Sequence, residues 1–225
     1  MSHSPACRPF TEPYDRAELI ADAVMHATAL VFAVAGIVWL IDEADGLAGL
    51  QSTAVWVYGA GLVAMLVSSA AYNMCPIGSA KLMLRRFDHS AIYLFIAATY
   101  TPFIAQAGRS ALNVSLLVTV WAVSWIGVTL KLRFPGRFER LSVVLCLALG
   151  WSGVFAYDAV FSPLPSSTIC LILTGGVLYS VGVVFHLWDG LRFQNAIWHA
   201  FVFTAAAFQF FAVFNMVSAA VAATR

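Results

Sequence analysis

Residues 196–222 read AIWHAFVFTAAAFQFFAVFNMVSAAVA and contain no Lys, Arg, Asp or Glu. At a rise of 1.5 Å per residue, a helix over this run is about 40 Å long, which exceeds the hydrocarbon core of a bilayer, about 30 Å thick. The whole chain has the same character, because 61% of its 225 residues are hydrophobic and only 10% are charged. A soluble domain usually carries about 25% charged residues, so the composition predicts a membrane protein.

Seven uncharged runs are long enough to cross a bilayer as helices, each of which needs roughly 20 residues. No segment between them is long enough to fold as a separate domain. The sequence therefore predicts an all-α fold, a seven-transmembrane helix bundle, with a cytoplasmic N-terminal segment over 1–22 and a membrane domain over 23–222. The predicted spans are 23–41, 48–72, 89–107, 110–130, 141–157, 168–188 and 196–222.

The distribution of basic residues predicts the orientation of the bundle, because Lys and Arg concentrate in cytoplasmic loops. When the loops are assigned alternately to the two sides, ten of the twelve Lys and Arg residues fall on the side of the N-terminus. Only Arg109 and Arg225 fall on the opposite side. This asymmetry predicts a cytoplasmic N-terminus and an external C-terminus.

Charge and cysteine usage exclude two other classes of protein. Twelve Lys and Arg are nearly cancelled by eleven Asp and Glu, so the net charge of +1 leaves no broad basic face for nucleic acid. The four cysteines show no CxxC spacing, so neither a disulfide framework nor a zinc knuckle is indicated. They are Cys7, Cys75, Cys146 and Cys170.

Polar residues gather at the predicted cytoplasmic ends of the helices. Several of them step by four residues, which keeps their side chains on one helix face. Ionisable groups at membrane depth are expensive and normally point into the bundle, so they predict a shared functional site. The alternative for Glu18, Asp22 and Asp88 is helix capping, which acidic residues near a first turn also favour. The polar residues are Glu18, Asp22, His26, Ser69, Asn73, Asp88, His89, Asn195 and His199.

Four stretches around these residues resemble the hemolysin III family, as does the spacing of Glu18, Asp22 and His26. That family is the bacterial branch of the superfamily that includes the adiponectin and progestin receptors. The resemblance covers nearly the whole chain, and it implies a seven-helix bundle with a cytoplasmic N-terminus, in agreement with the charge distribution. The stretches are SSAAYN over 68–73, FDHSAIY over 87–93, TYTPF over 99–103 and AIWHAFV over 196–202.

The resemblance also implies a zinc site near the inner leaflet. Members of the family hold the ion through three histidines, one at the end of helix 2 and two spaced by four in helix 7. A serine and an aspartate support the site. Matched position by position, the three ligand positions are Asn73, Asn195 and His199, so one imidazole remains. The supporting Ser69 and Asp88 are retained.

This substitution predicts a degenerate metal site. Zinc prefers imidazole, thiolate or carboxylate ligands, and an amide oxygen is a weak donor for it. Even with His26 or His89 recruited beside Asp88, and with Asp22 lining the site, we expect zinc to bind far more weakly than in the family. No resident cofactor is therefore expected, and the amides are expected to form hydrogen bonds with their neighbours instead.

The retained scaffold with altered zinc positions predicts a non-catalytic protein with a role in sensing or membrane homeostasis, located in the inner membrane of a bacterium. One alternative is a zinc-dependent lipid amide hydrolase acting on ceramide-like lipids, with Ser69 and Asp88 as catalytic residues. Another is a cytolytic pore, as the family name suggests, although the chain has no filter-like segment. The expected partner is membrane lipid, with a fatty acid or a ceramide-like lipid as the candidate ligand, and the oligomeric state is left open.

Overall fold

The computed structural model describes residues 15–162, 164–188 and 190–223. They form seven α-helices, as the sequence predicts. Residues 1–14, most of the predicted N-terminal segment, lie outside the described residues, and 16–22 already belong to the first helix. The helices are α1 (Arg16–Glu43), α2 (Leu50–Met74), α3 (Ser79–Gln106), α4 (Ala111–Arg133), α5 (Glu139–Trp151), α6 (Ser166–His186) and α7 (Gln194–Ala222).

Five of these helices, α1, α2, α4, α6 and α7, are long and apolar enough to cross a membrane. Helix α3 is also long, but it begins with a basic stretch and contains several polar residues. Helix α5 has only 13 residues and continues into a 3-10 turn and a π-helical turn that end at Phe161. The protein is a multi-pass membrane protein built as a seven-helix bundle.

Helix α3 begins ten residues before the predicted span 89–107, so the basic stretch after α2 is helical. Its first cation has a structural role. The Nζ atom of Lys81 donates hydrogen bonds to the carbonyl oxygens of Tyr72 (3.1 Å) and Cys75 (2.9 Å) at the end of α2. Helix ends leave carbonyl groups without intrahelical partners, so Lys81 caps α2 and fixes the turn between the two helices.

Helix α5 ends at Trp151, before the predicted end of the span at residue 157. The hydroxyl of Tyr100 on α3 enters this break, where it donates to the carbonyl of Gly150 (2.8 Å) and accepts from the backbone N–H of Gly153 (2.7 Å). A Cβ atom added at Gly153 would lie 2.9 Å from that hydroxyl. The absence of a side chain at Gly153 therefore lets Tyr100 bond to the interrupted helix.

The helices pack mainly between neighbours in the chain. Helix α1 lies against α2, α2 against α3, α3 against α4, and α6 against α7, while α1 and α7 also meet and bring the first and last helices together. The crossing of α2 and α3 is tight, because a Cβ atom added at Gly61 would lie 2.5 Å from the Cβ of Ala98. Helix α5 makes only light contacts with α3, α4 and α6. A large cavity remains beside it.

Candidate functional site

Six of the predicted polar residues meet in one network between α1, α2 and α7. The network lies where α1 and α7 begin and where α2 ends. Five of its members are buried, and Asn195 is half-buried. The members are Asp22, His26, Ser69, Asn73, Asn195 and His199.

The carboxylate of Asp22 joins α1 to α7. Its Oδ1 atom lies 2.6 Å from Nδ1 of His199, and its Oδ2 atom accepts a hydrogen bond of 2.9 Å from Nδ2 of Asn195. Asp22 does not cap α1, because Asp15 and Glu18 form the capping box of that helix. Of the two interpretations of Asp22, the structure therefore favours membership of a polar site.

Glu18 positions the start of α7. Phe193, the residue before α7, has a left-handed backbone with φ of 59°, which costs roughly 1–2 kcal/mol for a residue other than glycine. The Oε1 atom of Glu18 accepts a hydrogen bond of 2.9 Å from the backbone N–H of Phe193 and offsets this cost. The contact sets the first turns of α7, with Asn195 and His199, against α1.

The structure brings a second imidazole into the network. The Nδ1 atom of His26 faces the backbone carbonyl of Asp22 at 2.8 Å, and its Nε2 atom faces Oγ of Ser69 at 3.1 Å. The Nε2 atom of His199 faces the same Ser69 Oγ at 3.4 Å. The two rings lie nearly at right angles, with centroids 4.4 Å apart, and both pack against Phe203.

The two asparagines at the positions where the family resemblance implies histidine ligands bond to each other. Nδ2 of Asn195 donates to Oδ1 of Asn73 at 2.8 Å, and Nδ2 of Asn73 donates to the backbone carbonyl of Ser69 at 2.9 Å. Neither amide has a nitrogen lone pair or an anionic oxygen to offer a zinc ion. The donor chemistry of Asn73, Asn195 and His199 therefore does not fit the zinc site implied by the family.

A different set of three residues does fit a metal ion. Asp22, His26 and His199 are buried and offer ligand atoms that all lie within 4.8 Å of one another. Two imidazoles and one carboxylate are a ligand set found at zinc sites with an open fourth position. The sequence identifies His26 as a residue lining the site, but the spacing along α1 does not reveal that its ring contacts His199.

Asp88 and His89 both line the cavity that borders the network. Asp88 interacts with the Ser69 hydroxyl and lines the cavity. It does not cap α3, which begins nine residues earlier at Ser79. His89 also lines the cavity, but its Nδ1 atom lies 3.6 Å from Oε2 of Glu139 at the start of α5.

Glu139 precedes the predicted span 141–157 and ties three helices together at the cavity mouth. Its carboxylate accepts hydrogen bonds from Arg85 of α3 (3.1 Å) and from Lys131 of α4 (2.5 Å). Burial raises the pKa of Glu139, but the hydrogen bonds and positive charges of His89 and Lys131 outweigh it and lower the pKa to about 2. Glu139 is not among the predicted polar site residues, and its only signal in the sequence is its position among basic residues.

A cavity of about 1490 Å³ extends from this polar end into the bundle. It follows α3 from Lys81 to Phe103, a helical distance of about 33 Å at 1.5 Å per residue. Ser69, Asp88 and His199 line its polar end, and aromatic and aliphatic side chains line most of its remaining length. This volume is larger than the roughly 300–1,000 Å³ of ordinary small-molecule pockets.

Comparisons with known proteins agree with this architecture. The chain is 34% identical over 197 residues to the hemolysin-3 homolog of Bacillus subtilis (strain 168), covering 87% of this chain and 92% of that protein. Hemolysin-3 of Bacillus cereus is 33% identical over 197 residues, covering 87% and 90% of the two chains. The monocyte to macrophage differentiation factor of Homo sapiens is 28% identical over 206 residues, covering 88% and 84%. The family model described as haemolysin-III related matches residues 18–210, and the chain therefore belongs to that family.

Proposed function

We propose that the protein is a non-catalytic, lipid-binding sensor in the inner membrane of a bacterium. The observation that carries this proposal is the cavity of about 1490 Å³, which joins a long apolar wall to a buried polar network. An amphipathic lipid has the same division, with an acyl chain for the apolar wall and a polar head for the network end. A fatty acid or a ceramide-like lipid is the candidate ligand.

The charges at the cavity mouth support a ligand with an anionic head. Lys81, Arg85 and Lys131 line the mouth together with Glu139 and Asp88, so the named cations outnumber the named carboxylates. The basic ends of the helices also support a cytoplasmic orientation for this mouth, with the N-terminus inside and the C-terminus outside. The head of the lipid would then lie at the level of the inner leaflet.

The non-catalytic part of the proposal rests on the two asparagines. Asn73 and Asn195 bond to each other at 2.8 Å, so the inherited positions do not supply ligands for a catalytic zinc ion. A sensory role follows from the light packing of α5. A few side-chain hydrogen bonds hold α5 to the rest of the bundle: Glu139 to Arg85 and Lys131, Ser142 to Tyr93, Gly150 to Tyr100 and Trp151 to Ser180. Occupation of the cavity would be read out as a displacement of α5 against these contacts.

A matched pair of substitutions on α6 tests lipid binding. Val183 lines the cavity, whereas the next residue, Val184, is 59% exposed on the outside of the bundle. We expect Val183→Trp to reduce the amount of co-purified single-chain lipid, measured by mass spectrometry after denaturing extraction, and to weaken labelling by a photoreactive palmitate analogue. Val184→Trp adds the same ring to the outer surface and should behave like the wild type.

The proposal fails if Val183→Trp protein, folded as judged by gel filtration and circular dichroism, keeps wild-type lipid content and labelling. A wild-type protein that carries no lipid and is not labelled would also exclude it. A cavity that conducts ions instead would produce flux across liposomes containing the protein, beyond that of protein-free liposomes.

A lipid amide hydrolase is the second candidate function, and the position of Asp88 favours it. Asp88 and Ser69 lie together at the cavity edge, next to the imidazole pair. Such an enzyme requires a metal-activated water, and Asp88 is the group that would hold or receive its proton. Turnover of ceramide by zinc-supplied protein, lost in Asp88→Asn and Ser69→Ala, would support an enzyme. Absence of turnover beside an active relative would exclude one.

A further inference from the structure

The two imidazoles of the network are held between the same two groups. Both Nδ1 atoms face Asp22. That of His199 faces the Asp22 carboxylate, and that of His26 faces the Asp22 backbone carbonyl. Each Nε2 atom faces the hydroxyl of Ser69. His26 is 2% exposed and His199 5% exposed, so both rings are buried.

Counting protons shows that neutral rings do not satisfy this arrangement. If both rings carry their proton on Nδ1 and donate it to Asp22, both Nε2 atoms present lone pairs to Ser69. The hydroxyl has one proton and can donate it to only one of them. The other lone pair then faces an oxygen lone pair, an arrangement that costs free energy in a buried site.

The Nδ1 side has the spacing of a metal site. Two ligand atoms on a tetrahedral zinc ion, with bonds of about 2.0 Å, lie about 3.3 Å apart. The Oδ1 atom of Asp22 lies 2.6 Å from Nδ1 of His199 and 3.7 Å from Nδ1 of His26. These two separations lie on either side of the expected value, and the ligand atoms of the three residues all lie within 4.8 Å of one another.

We propose that the chain binds one divalent metal ion of the zinc class through Oδ1 of Asp22, Nδ1 of His26 and Nδ1 of His199. This site uses α1 and α7. It shares only His199 with the positions that the family resemblance implies, and the proposal does not rest on lipid binding, although His199 also lines the cavity. A water molecule takes the fourth position, as at other three-ligand zinc sites.

A metal ion bound to both Nδ1 atoms removes the need for Ser69 to donate to two Nε2 atoms. Each neutral ring then carries its proton on Nε2, and both donate to the two lone pairs of the Ser69 oxygen. They replace the long 3.4 Å contact from Nδ2 of Asn73, which keeps its 2.9 Å hydrogen bond to the Ser69 carbonyl. The Ser69 proton is left free for Asp88, with which Ser69 already interacts. Zinc-bound histidines usually donate their second N–H to such an outer partner. Ser69 is therefore a positioning residue for both imidazoles.

The asparagines keep a role in this site. Asn195 donates to Oδ2 of Asp22, the carboxylate oxygen that does not face the imidazoles, and to the oxygen of Asn73. This contact holds the carboxylate so that Oδ1 faces the two rings. Exchange of two inherited histidines for asparagines thus moves the ion toward α1 rather than abolishing the site.

Elemental analysis tests the proposal without any assay of activity. The full chain, purified in detergent without a metal-binding tag, is incubated with zinc sulfate, desalted and analysed. We expect one zinc per wild-type chain and loss of the bound zinc in His26→Gln. The matched control is His89→Gln, because His89 lines the cavity outside the three-residue site. Ser69→Ala should weaken zinc affinity about tenfold, the usual effect of an outer partner.

Two results would overturn the proposal. One is wild-type protein that retains no zinc after desalting. The other is zinc that survives in His26→Gln and is lost in His199→Gln, which would place the ion at the inherited positions. Where His26→Gln does not fold, His26→Cys decides, because a thiolate is also a zinc ligand. It should retain the ion, whereas the folded His26→Ala protein should not.

Discussion

The Nδ1 atom of His199 lies 2.6 Å from Oδ1 of Asp22, although the two residues are 177 positions apart. This contact joins the last helix to the first. It also means that Asp22, which resembles a helix cap in the sequence, is the residue to which both imidazoles of the network are attached.

Asp22→Asn should destabilise the folded protein by about 2 kcal/mol, the scale for a hydrogen bond to a charged group. The amide has one acceptor oxygen where the carboxylate has two, so either Nδ2 of Asn195 loses its acceptor or the ring of His199 must change its tautomer to accept from the new NH₂ group. Reversible unfolding in mixed detergent micelles measures the change. Asp42→Asn, the same exchange at an exposed position near the far end of α1, should stay within about 0.5 kcal/mol of the wild type.

Glu18→Gln should cost about 1–3 kcal/mol, because the amide can accept only one of the two backbone hydrogen bonds that the carboxylate accepts. These come from Asp15 at 3.0 Å and from Phe193 at 2.9 Å. We also expect faster hydrogen exchange at the start of α7, where Phe193 loses its partner. Unchanged exchange there would show that Glu18 does not fix the start of this helix.

Removing the hydroxyl of Tyr100 should lower the stability of the folded protein, whereas removing that of Tyr58 should not. Tyr100→Phe leaves the buried N–H of Gly153 without its acceptor, which costs about 1–3 kcal/mol. Among the described residues the hydroxyl of Tyr58 has no hydrogen-bond partner although it is buried. Tyr58→Phe should therefore leave the melting temperature unchanged or raise it. A lower melting temperature for Tyr58→Phe than for Tyr100→Phe would contradict the role of Tyr100 at the end of α5.

The ion cluster at the cavity mouth predicts a dependence of stability on acidity. The pKa of Glu139 is lowered to about 2, below the value of about 4.3 for an unfolded glutamate. A lowered pKa stabilises the folded state above about pH 4.3, and this stabilisation is lost as the pH falls toward 2. Glu139→Gln should melt at a lower temperature at pH 7 and lose less stability than the wild type between about pH 5 and pH 3. Glu43→Gln should keep the wild-type slope.

Much of the fold could be predicted because a bilayer leaves few choices to an uncharged run of 20 residues. The seven helices follow from such runs. The boundaries that differ have local causes. Helix α3 includes the basic stretch, where Lys81 bonds to the end of α2, and the Tyr100 hydroxyl bonds to a carbonyl at the point where α5 ends. Neither hydrogen bond is visible in a hydropathy pattern.

The sequence predicts which residues form the candidate site, but only partly which of them contact each other. Spacing by four placed Asp22 and His26 on one face of α1, and the structure gathers both with Asn195 and His199. The pairing of partners depends on how α1 and α7 rotate against each other, which sequence spacing does not determine. For this reason the contact of His26 with His199 and the separation of His89 from both emerge only from the structure.

The contact between Asp22 and α7 has a consequence for how the protein is made. Both oxygens of the Asp22 carboxylate bond to α7, which leaves the ribosome after α1 to α6. While the first six helices enter the bilayer, Asp22 and His26 are without these partners, and ionisable side chains in hydrocarbon are costly. Until α7 is inserted, these side chains of α1 therefore need hydrogen bonds from water or from the insertion machinery. In a chain truncated before α7, Asp22 and His26 would stay without their α7 partners.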